Sequence, residues 1–118
     1  MSLGRDAEDR AVHFLQNKGY AIISRNYRCG KLGEIDIVAK KGDVVVFVEV
    51  KSKREPFSFG TPQEAVTFKK QQTLVRLAHS FMQSRKLLGI PCRFDVVAIS
   101  YLNQNINLEH FQNAFEAL

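Results

Sequence analysis

The stretch Glu34–Lys51, which reads EIDIVAKKGDVVVFVEVK, decides the fold of this chain of 118 residues. Two runs rich in β-branched and other apolar residues, 34–40 and 44–51, favour strands. The Gly42-Asp43 pair between them predicts a two-residue turn with glycine first. We therefore expect an antiparallel hairpin whose continuous apolar character indicates burial on at least one face.

The register of this hairpin predicts a site. Extending the pairing outward from a two-residue turn places Asp36 opposite Glu49 and Glu34 opposite Lys51, with all four side chains on one face. Like charges directly opposite each other destabilise a hairpin, so the repulsion between the Asp36 and Glu49 carboxylates suggests that a bound group compensates it. A divalent cation such as Mg²⁺ would do so, because it takes carboxylate oxygens, and Lys51 would place an ammonium near a bound phosphate.

A second interpretation of the same pattern remains open. The hairpin face could be exposed, with Glu34 and Lys51 forming a cross-strand ion pair while Asp36 and Glu49 point into water. A turn shifted by one residue would also separate the carboxylates.

The elements around the hairpin follow from the same kinds of pattern. The second helix begins either near Thr61 or after a cap at Thr67. Strand 93–100 follows it and is expected to lie parallel to 44–51, since the connection is long enough for a crossover. The result is a mixed sheet flanked by helices. The predicted elements are a helix over 3–18, strands over 20–27, 34–40 and 44–51, a helix ending before Gly89, and strands over 93–100 and 106–110.

Length and composition fit one domain, 1–118, because the chain has 118 residues and is 45% apolar. Cys29 and Cys92 are too few for a disulfide scaffold and lack the paired spacing of a zinc site. The charged N-terminal residues argue against a secretory signal, and no apolar run is long enough to span a bilayer. We therefore expect a cytoplasmic protein with no membrane association.

Positive charge is concentrated in the middle of the chain. Residues 51–86 contain eight basic and two acidic side chains, whereas the whole chain has a net charge of +5. A polyanion is the natural partner of such a segment, although a solvated helix face would produce the same pattern.

The motif residues carry a family resemblance. Gly33-Glu34-Ile35-Asp36 followed by Glu49-Val50-Lys51 resembles the PD-(D/E)xK signature of the restriction-endonuclease-like nucleases, with isoleucine where that signature has proline. The longer run GEIDIVAKKGDVVVFVEVKSK, with FGTPQEAV, RFDVVAI and LEHFQNAF, is similar to the bacterial YraN-type proteins, a family that resembles Holliday-junction resolvases. The resemblance implies an α/β fold with a restriction-endonuclease-like core, a mixed five-stranded sheet in the order α-β-β-β-α-β-β.

The resemblance also implies roles for individual residues. Asp36 and Glu49 match the metal-binding acidic positions and Lys51 matches the catalytic lysine. Glu8, on the first helix, matches an additional glutamate of resolvase-like members and is the fourth catalytic candidate and a third metal ligand. Without the family, a glutamate near a helix N-terminus is usually only solvated.

Other side chains are candidates for contacting nucleic acid. Phosphate contacts of this kind fix position without selecting a base sequence. Phe57 and Phe59 could stack on unpaired bases, with core packing or a dimer contact as the alternative. The three histidines have no metal-binding spacing and are assigned no chemistry. The predicted phosphate-contacting residues are Lys53, Arg54, Gln63, Lys69 and Lys70.

Together these observations predict a Mg²⁺- or Mn²⁺-dependent endonuclease that hydrolyses phosphodiester bonds in DNA, branched or otherwise structured, with no small-molecule cofactor. The resemblance to resolvases leaves a homodimer open. The principal alternative is a nuclease-fold protein that binds DNA or a repair partner without cutting. An RNA-directed nuclease is a third interpretation.

Overall fold

A computed structural model of the protein describes residues 2–54, 64 and 66–117. The described residues form two helices and five strands in the predicted order, α-β-β-β-α-β-β. Their bounds are α1 Leu3–Asn17, β1 Ala21–Arg28, β2 Glu34–Lys41, β3 Val44–Lys53, α2 Phe68–Ser84, β4 Cys92–Leu102 and β5 Asn105–Phe115.

The described strands make one mixed sheet in the spatial order β1-β2-β3-β4-β5. Strands β1 to β3 form an antiparallel meander, and β4 and β5 form a second antiparallel pair. Between them β3 and β4 run parallel, joined by the long connection that contains α2. The predicted mixed sheet and its parallel crossover are confirmed, and β3 occupies the centre of the sheet.

The hairpin turn has the predicted geometry. Gly42 has a φ of +59°, the left-handed conformation that glycine adopts without steric cost. Pairing runs from Lys41 with Val44 to Ile37 with Val48, which confirms the predicted register over this part of the hairpin.

Helix α1 covers one face of the sheet. The Ser2 side chain caps it by accepting a hydrogen bond from the Arg5 N–H at 3.2 Å. Its buried stripe, which includes Ala11 and Leu15, packs in one apolar cluster with the β3 residues Val46 and Val48.

Helix α2 covers the opposite face. Thr67 is its N-cap and accepts a hydrogen bond from the Lys70 N–H at 3.1 Å, which confirms the later of the two predicted helix starts. Residues 61–63 and 65, on which the earlier start depends, lie outside the described residues. The α2 stripe, including Leu77 and Phe81, packs with Phe47 of β3. Strand β3 is therefore buried on both faces, with alternate residues directed at the two helices.

The last strand is longer than predicted. Alternation in the sequence indicated 106–110, whereas β5 spans Asn105–Phe115 and lies at the edge of the sheet. Its C-terminal part is held by contacts that the local pattern does not contain, because Phe115 stacks on Phe94 of β4 with ring centroids 4.9 Å apart.

Candidate functional site

The site lies where the β2–β3 hairpin opens. The ladder of paired residues ends at Ile37 and Val48, one step before the acidic pair predicted from the register. There the Asp36 carboxylate accepts a hydrogen bond from the Val50 N–H at 2.8 Å. Asp36 and Glu49 are therefore not paired in the regular ladder, because the Asp36 side chain rather than a main-chain oxygen accepts from β3, although the two carboxyl groups remain hydrogen-bonded neighbours.

Side-chain alternation also inverts at this point. Ile37 packs in the α1 cluster, but Ile35, two residues earlier, packs in the α2 cluster. On β1, Arg25 pairs with acids of α1, whereas Tyr27 packs on the α2 side. Between them Asn26 has a φ of +53°, a left-handed conformation that interrupts the regular pleat of the strand.

The inversion brings three carboxylates together. Glu8 from α1 and Glu34 and Asp36 from β2 each offer an oxygen within 4.8 Å of the others, and all three side chains are half-buried. The Asn26 amide nitrogen donates to Glu8 Oε1 at 3.0 Å and to Glu34 Oε1 at 3.2 Å. We call Glu8, Glu34 and Asp36 the carboxylate cluster.

Glu34 makes a different ion pair from the one weighed in the sequence analysis. Its Oε2 lies 2.8 Å from an Arg28 guanidinium nitrogen on β1. The extrapolated pairing of Glu34 with Lys51 is wrong for the same reason as before, since the β2–β3 ladder ends before it reaches either residue.

Glu49 approaches the cluster from the other side of the sheet. It is 6% exposed, and alternation from Phe47 places it on the α2 face. The Lys70 ammonium of α2 lies 3.7 Å from Glu49 Oε2. Lys51, two residues further along β3, shares this face and is half-buried. The site thus joins carboxylates from one face of the sheet to an acid and two cations from the other.

The electrostatics of the site centre on Asp36. Burial, together with a hydrogen bond and like charge from neighbouring Glu49, raises the pKa of Asp36 to about 8. The charge of Glu34 raises the pKa of Asp36 further, whereas the hydrogen bond from the Val50 N–H lowers it by favouring the ionised form. Asp36 and Glu49 are therefore close enough to interact although they are not ladder partners.

This set of side chains could hold a hard divalent cation. All its charged donors are carboxylate oxygens, the ligands that Mg²⁺ and Mn²⁺ prefer. A cation bound there would remove the repulsion that keeps a proton on Asp36. Glu8, Glu34, Asp36 and Glu49 are the residues in position to contribute.

The predicted nucleic-acid contacts occupy the ends of two elements. Lys53 and Arg54 lie at the end of β3 and are exposed, while Lys69 and Lys70 lie in the first turn of α2. Gln63 lies outside the described residues, as do Phe57 and Phe59. Lys70 lies within ion-pair distance of Glu49, an acid of the site.

Sequence reasoning missed two contributors to this region. Asn26 lies inside a strand pattern, and its only local signal is that asparagine tolerates a left-handed backbone better than most residues. Glu34 was considered as an ion-pair partner and is instead a member of the carboxylate cluster.

A buried polar network was also missed. Asp95 is 1% exposed and accepts hydrogen bonds from His110 at 2.8 Å and from Arg93 at 3.0 Å. His110 is thus a partner of a buried aspartate beneath α1, where it contacts Phe14 and Tyr20.

The fold and site define a class. This is an α/β protein in which carboxylates from a helix and a strand converge at the open end of a central hairpin. Among the residues that the structure describes, neither helix is long and apolar enough to cross a membrane. The chain belongs to the Uncharacterised protein family UPF0102, whose family model matches residues 7–99. This membership confirms the resemblance to the YraN-type proteins.

Full-length relatives support the family assignment. The chain is 46% identical over 115 residues to a UPF0102 protein of Caldicellulosiruptor saccharolyticus, covering 96% of each chain. It is 48% identical to a UPF0102 protein of Desulforapulum autotrophicum, covering 97% of this chain and 93% of the relative. A UPF0102 protein of Alkaliphilus oremlandii is 44% identical, with 96% and 97% covered.

Proposed function

We propose that the protein is a Mg²⁺- or Mn²⁺-dependent endonuclease that hydrolyses phosphodiester bonds in branched or otherwise structured DNA. The observation that carries this proposal is the convergence of Glu8, Glu34 and Asp36 within 4.8 Å, with Glu49 beside them. Arg25 and Arg28, the basic side chains that pair with Glu8 and Glu34, are exposed, so a cation bound between the carboxylates would compensate their charge more fully. The PD-(D/E)xK resemblance at Asp36, Glu49 and Lys51 supports the same conclusion from the sequence.

The donor set fits the proposed metal. Glu8, Asp36 and Glu49 would act as ligands, and Glu34 is placed to join or replace one of them. The cation would supply Lewis-acid stabilisation of the phosphate and lower the pKa of a water molecule. Asp36 must lose its proton for this, which the charge of the ion would favour.

Lys51 is the proposed cationic residue of the reaction. It follows Glu49 on the same face of β3, so its ammonium could donate a hydrogen bond to a phosphate oxygen beside the carboxylates. Charge that develops on that oxygen as water attacks phosphorus would then be stabilised. The new P–O bond would form as the bond to the departing sugar oxygen breaks. The attacking water gives up a proton to solvent and the departing oxygen takes one up, so the step balances.

The basic residues around α2 support a polyanionic substrate. Lys69 and Lys70 lie in the first turn of the helix, and Lys70 reaches Glu49. Contacts from such side chains neutralise phosphates and carry no base sequence information. DNA selected by shape rather than by sequence is therefore the substrate that we propose.

Cleavage assays test the function directly. Labelled four-way junctions, flaps and duplexes are incubated with Mg²⁺, Mn²⁺ or EDTA. We expect metal-dependent cleavage that Lys51→Ala and Asp36→Asn each reduce at least a hundredfold, in line with the loss of one electrostatic group at an active site. Lys40→Ala, near the far end of β2, is the matched control and should cut like wild type.

The same assay identifies the alternatives. Tight DNA binding without cleavage under any metal would replace the nuclease with the non-catalytic DNA-binding protein of the same fold. Substituting RNA for DNA tests the third interpretation, because preferential RNA cleavage would change the substrate while retaining the site.

A further inference from the structure

A second charged region adjoins the carboxylate cluster on the α1 side. A cleft of about 790 Å³ lies between the start of α1 and the end of β1. Glu8 and Glu34 form part of its wall, so the cleft opens directly onto the cluster. The charged side chains that line it are Arg5, Glu8, Asp9, Arg25, Arg28 and Glu34.

Two of the three arginines are held by acids of this wall. Arg25 lies 2.7 Å from Asp9 and 3.8 Å from Glu8, and Arg28 lies 2.8 Å from Glu34. The Arg25 side chain is 38% exposed and that of Arg28 is 71% exposed. Ion pairs this exposed contribute little to stability, so a phosphate could replace the carboxylates at small cost.

The charge balance of the cleft depends on the cluster. Without a cation, three arginines face three carboxylates. When Glu8 and Glu34 serve as ligands for the cation of the proposed function, their charge is compensated by the cation. Of the described residues, Asp9 then remains as the one acid facing the three arginines of the cleft, which leaves a net positive surface. Guanidinium groups match phosphate oxygens in two-point hydrogen bonds, which makes a phosphodiester a suitable ligand.

Cations on both faces of the sheet favour a strand over a small anion. Lys70 approaches Glu49 from the α2 side, while Arg25 and Arg28 approach Glu8 and Glu34 from the α1 side. Positive charge thus flanks the acids in two separated places. A single phosphate would occupy one of them, whereas a polynucleotide backbone reaches both.

We propose that this arginine cleft binds the phosphodiester backbone of the nucleic-acid strand on the α1 side of the carboxylate cluster, with Arg5, Arg25 and Arg28 as the phosphate contacts. The inference rests on the proposed function, since the cluster is where that strand would be cut. The cleft adds Arg5, Arg25 and Arg28 to the proposed binding surface. These arginines lie outside the basic segment 51–86 from which the sequence analysis predicted a polyanionic partner.

Binding measurements test the cleft without relying on activity. Affinity for a labelled four-way junction is measured by fluorescence anisotropy with Mg²⁺, in a Lys51→Ala background to prevent cutting. We expect Arg25→Ala/Arg28→Ala to weaken binding at least about tenfold, because two charge-assisted contacts are lost. The slope of log affinity against log salt should fall by roughly 1.5.

Two further variants distinguish specific phosphate contacts in the cleft from a general effect of the protein's net positive charge on affinity. Lys18→Ala/Lys40→Ala also removes two positive charges, at the end of α1 away from the cleft and near the turn end of β2, and should change affinity less than about twofold. Arg25→Lys/Arg28→Lys keeps the charge without the planar fork and should give an intermediate loss. Circular dichroism melts check that each variant is folded, and the exposure of the two arginines predicts that it is.

The outcomes distinguish the cleft from the catalytic proposal. Equal losses in the cleft and control variants, or no loss in either, would overturn the cleft. A competition experiment compares inorganic phosphate with an unlabelled oligonucleotide at the same phosphate concentration. If the two displace the labelled junction equally well, the cleft is a small-anion site and does not bind a nucleic-acid strand. If wild-type protein binds through the cleft but never cuts, the cleft stands and the nuclease function fails.

Discussion

The Asp36 carboxylate accepts a hydrogen bond from the Val50 N–H at 2.8 Å, at the point where the β2–β3 ladder stops. A side chain here takes over the role of a main-chain carbonyl. The regular ladder ends there, and Glu8 and Glu34 lie close to Asp36 at this point while Glu49 is hydrogen-bonded to it. The site exists because a regular hairpin is interrupted at one residue.

The first prediction concerns the stability of the metal-free protein against pH. Burial and Glu49 raise the pKa of Asp36 to about 8, whereas an unfolded aspartate titrates near pH 4. The folded state therefore binds more protons over this window, and the free energy of unfolding should fall as pH rises from about 4 to 8. The slope should be on the order of 1 kcal/mol per pH unit from this residue alone.

Urea unfolding in EDTA at several pH values measures that slope. In the Asp36→Asn variant the amide oxygen can still accept a hydrogen bond from the Val50 N–H, but the side chain cannot ionise. The free energy of unfolding of this variant should therefore change less with pH than that of wild type. Asp43→Asn, in the exposed hairpin turn, should behave like wild type. Identical slopes for wild type and Asp36→Asn would show that Asp36 has an ordinary pKa.

A second prediction concerns divalent metal. At pH 8 a cation that binds only the folded state at ten times its dissociation constant should stabilise the protein by about 1.4 kcal/mol. Glu8→Gln and Asp36→Asn should each reduce this gain, since each removes a charged oxygen ligand. Differential scanning fluorimetry with Mg²⁺ and Mn²⁺ measures it, and an unchanged gain in both variants would place the ion elsewhere.

A third prediction concerns the left-handed residue of β1. Asn26 has a φ of +53°, which a β-branched side chain adopts only with strain. Asn26→Val should lower the free energy of unfolding by about 2 kcal/mol through backbone strain and loss of its hydrogen bonds. Asn26→Gly accommodates the backbone and should cost less than about 1 kcal/mol.

The same two variants separate the backbone of Asn26 from its amide. The amide donates to Glu8 and Glu34, so Asn26→Gly should alter metal affinity even where it leaves stability nearly unchanged. Isothermal titration with Mn²⁺ measures this effect. Equal stability of the Val and Gly variants would remove backbone conformation as the reason for asparagine at this position.

A fourth prediction concerns the buried aspartate beneath α1. Burial alone would raise the pKa of Asp95, but hydrogen bonds from His110, Arg93 and the Asn113 N–H outweigh it and hold that pKa below its usual value. The stability it contributes is present above about pH 4 and is lost as pH falls through the lowered pKa. Acid should therefore unfold the protein through this network.

Asp95→Asn should lower the free energy of unfolding at pH 7 by about 3 kcal/mol, because it removes the buried anion that accepts hydrogen bonds from Arg93, His110 and the Asn113 N–H. Its stability should also depend less on pH below about 4 than that of wild type. Thermal melts monitored by circular dichroism test both statements. Wild-type stability in the variant would show that water compensates Arg93 and His110.

Much of the fold was predictable because it is encoded by local patterns. The turn at Gly42-Asp43 and the alternation of the flanking runs predicted the register from Lys41–Val44 to Ile37–Val48, which the structure confirms. The cap at Thr67 was one of two alternatives, and the structure decides for it. The end of β5 was missed because its stabilising partner, Phe94, lies on another strand.

The candidate site was predictable only in part, because two of its features depend on contacts between distant elements. Continuing a regular ladder past Ile37 brought Asp36 to Glu49 but gave Glu34 the wrong ion-pair partner, since no local signal shows that the ladder ends there or that a side chain will accept from Val50. The residue type of Asn26 only weakly indicated a left-handed backbone, and its contact with Glu8, which lies on a distant helix, was not predictable from the sequence.

The sequence by itself determined the order of helices and strands, the centre of the hairpin and the residue types available for chemistry, because periodicity, turn residues and caps act over a few neighbours. Tertiary structure alone decided which acids meet. A left-handed residue in β1 and the packing of α1 on the sheet bring Glu8 to Glu34 and Asp36, and burial beside Glu49 shifts the proton affinity of Asp36. Those effects depend on distances in space, which spacing along the chain does not contain.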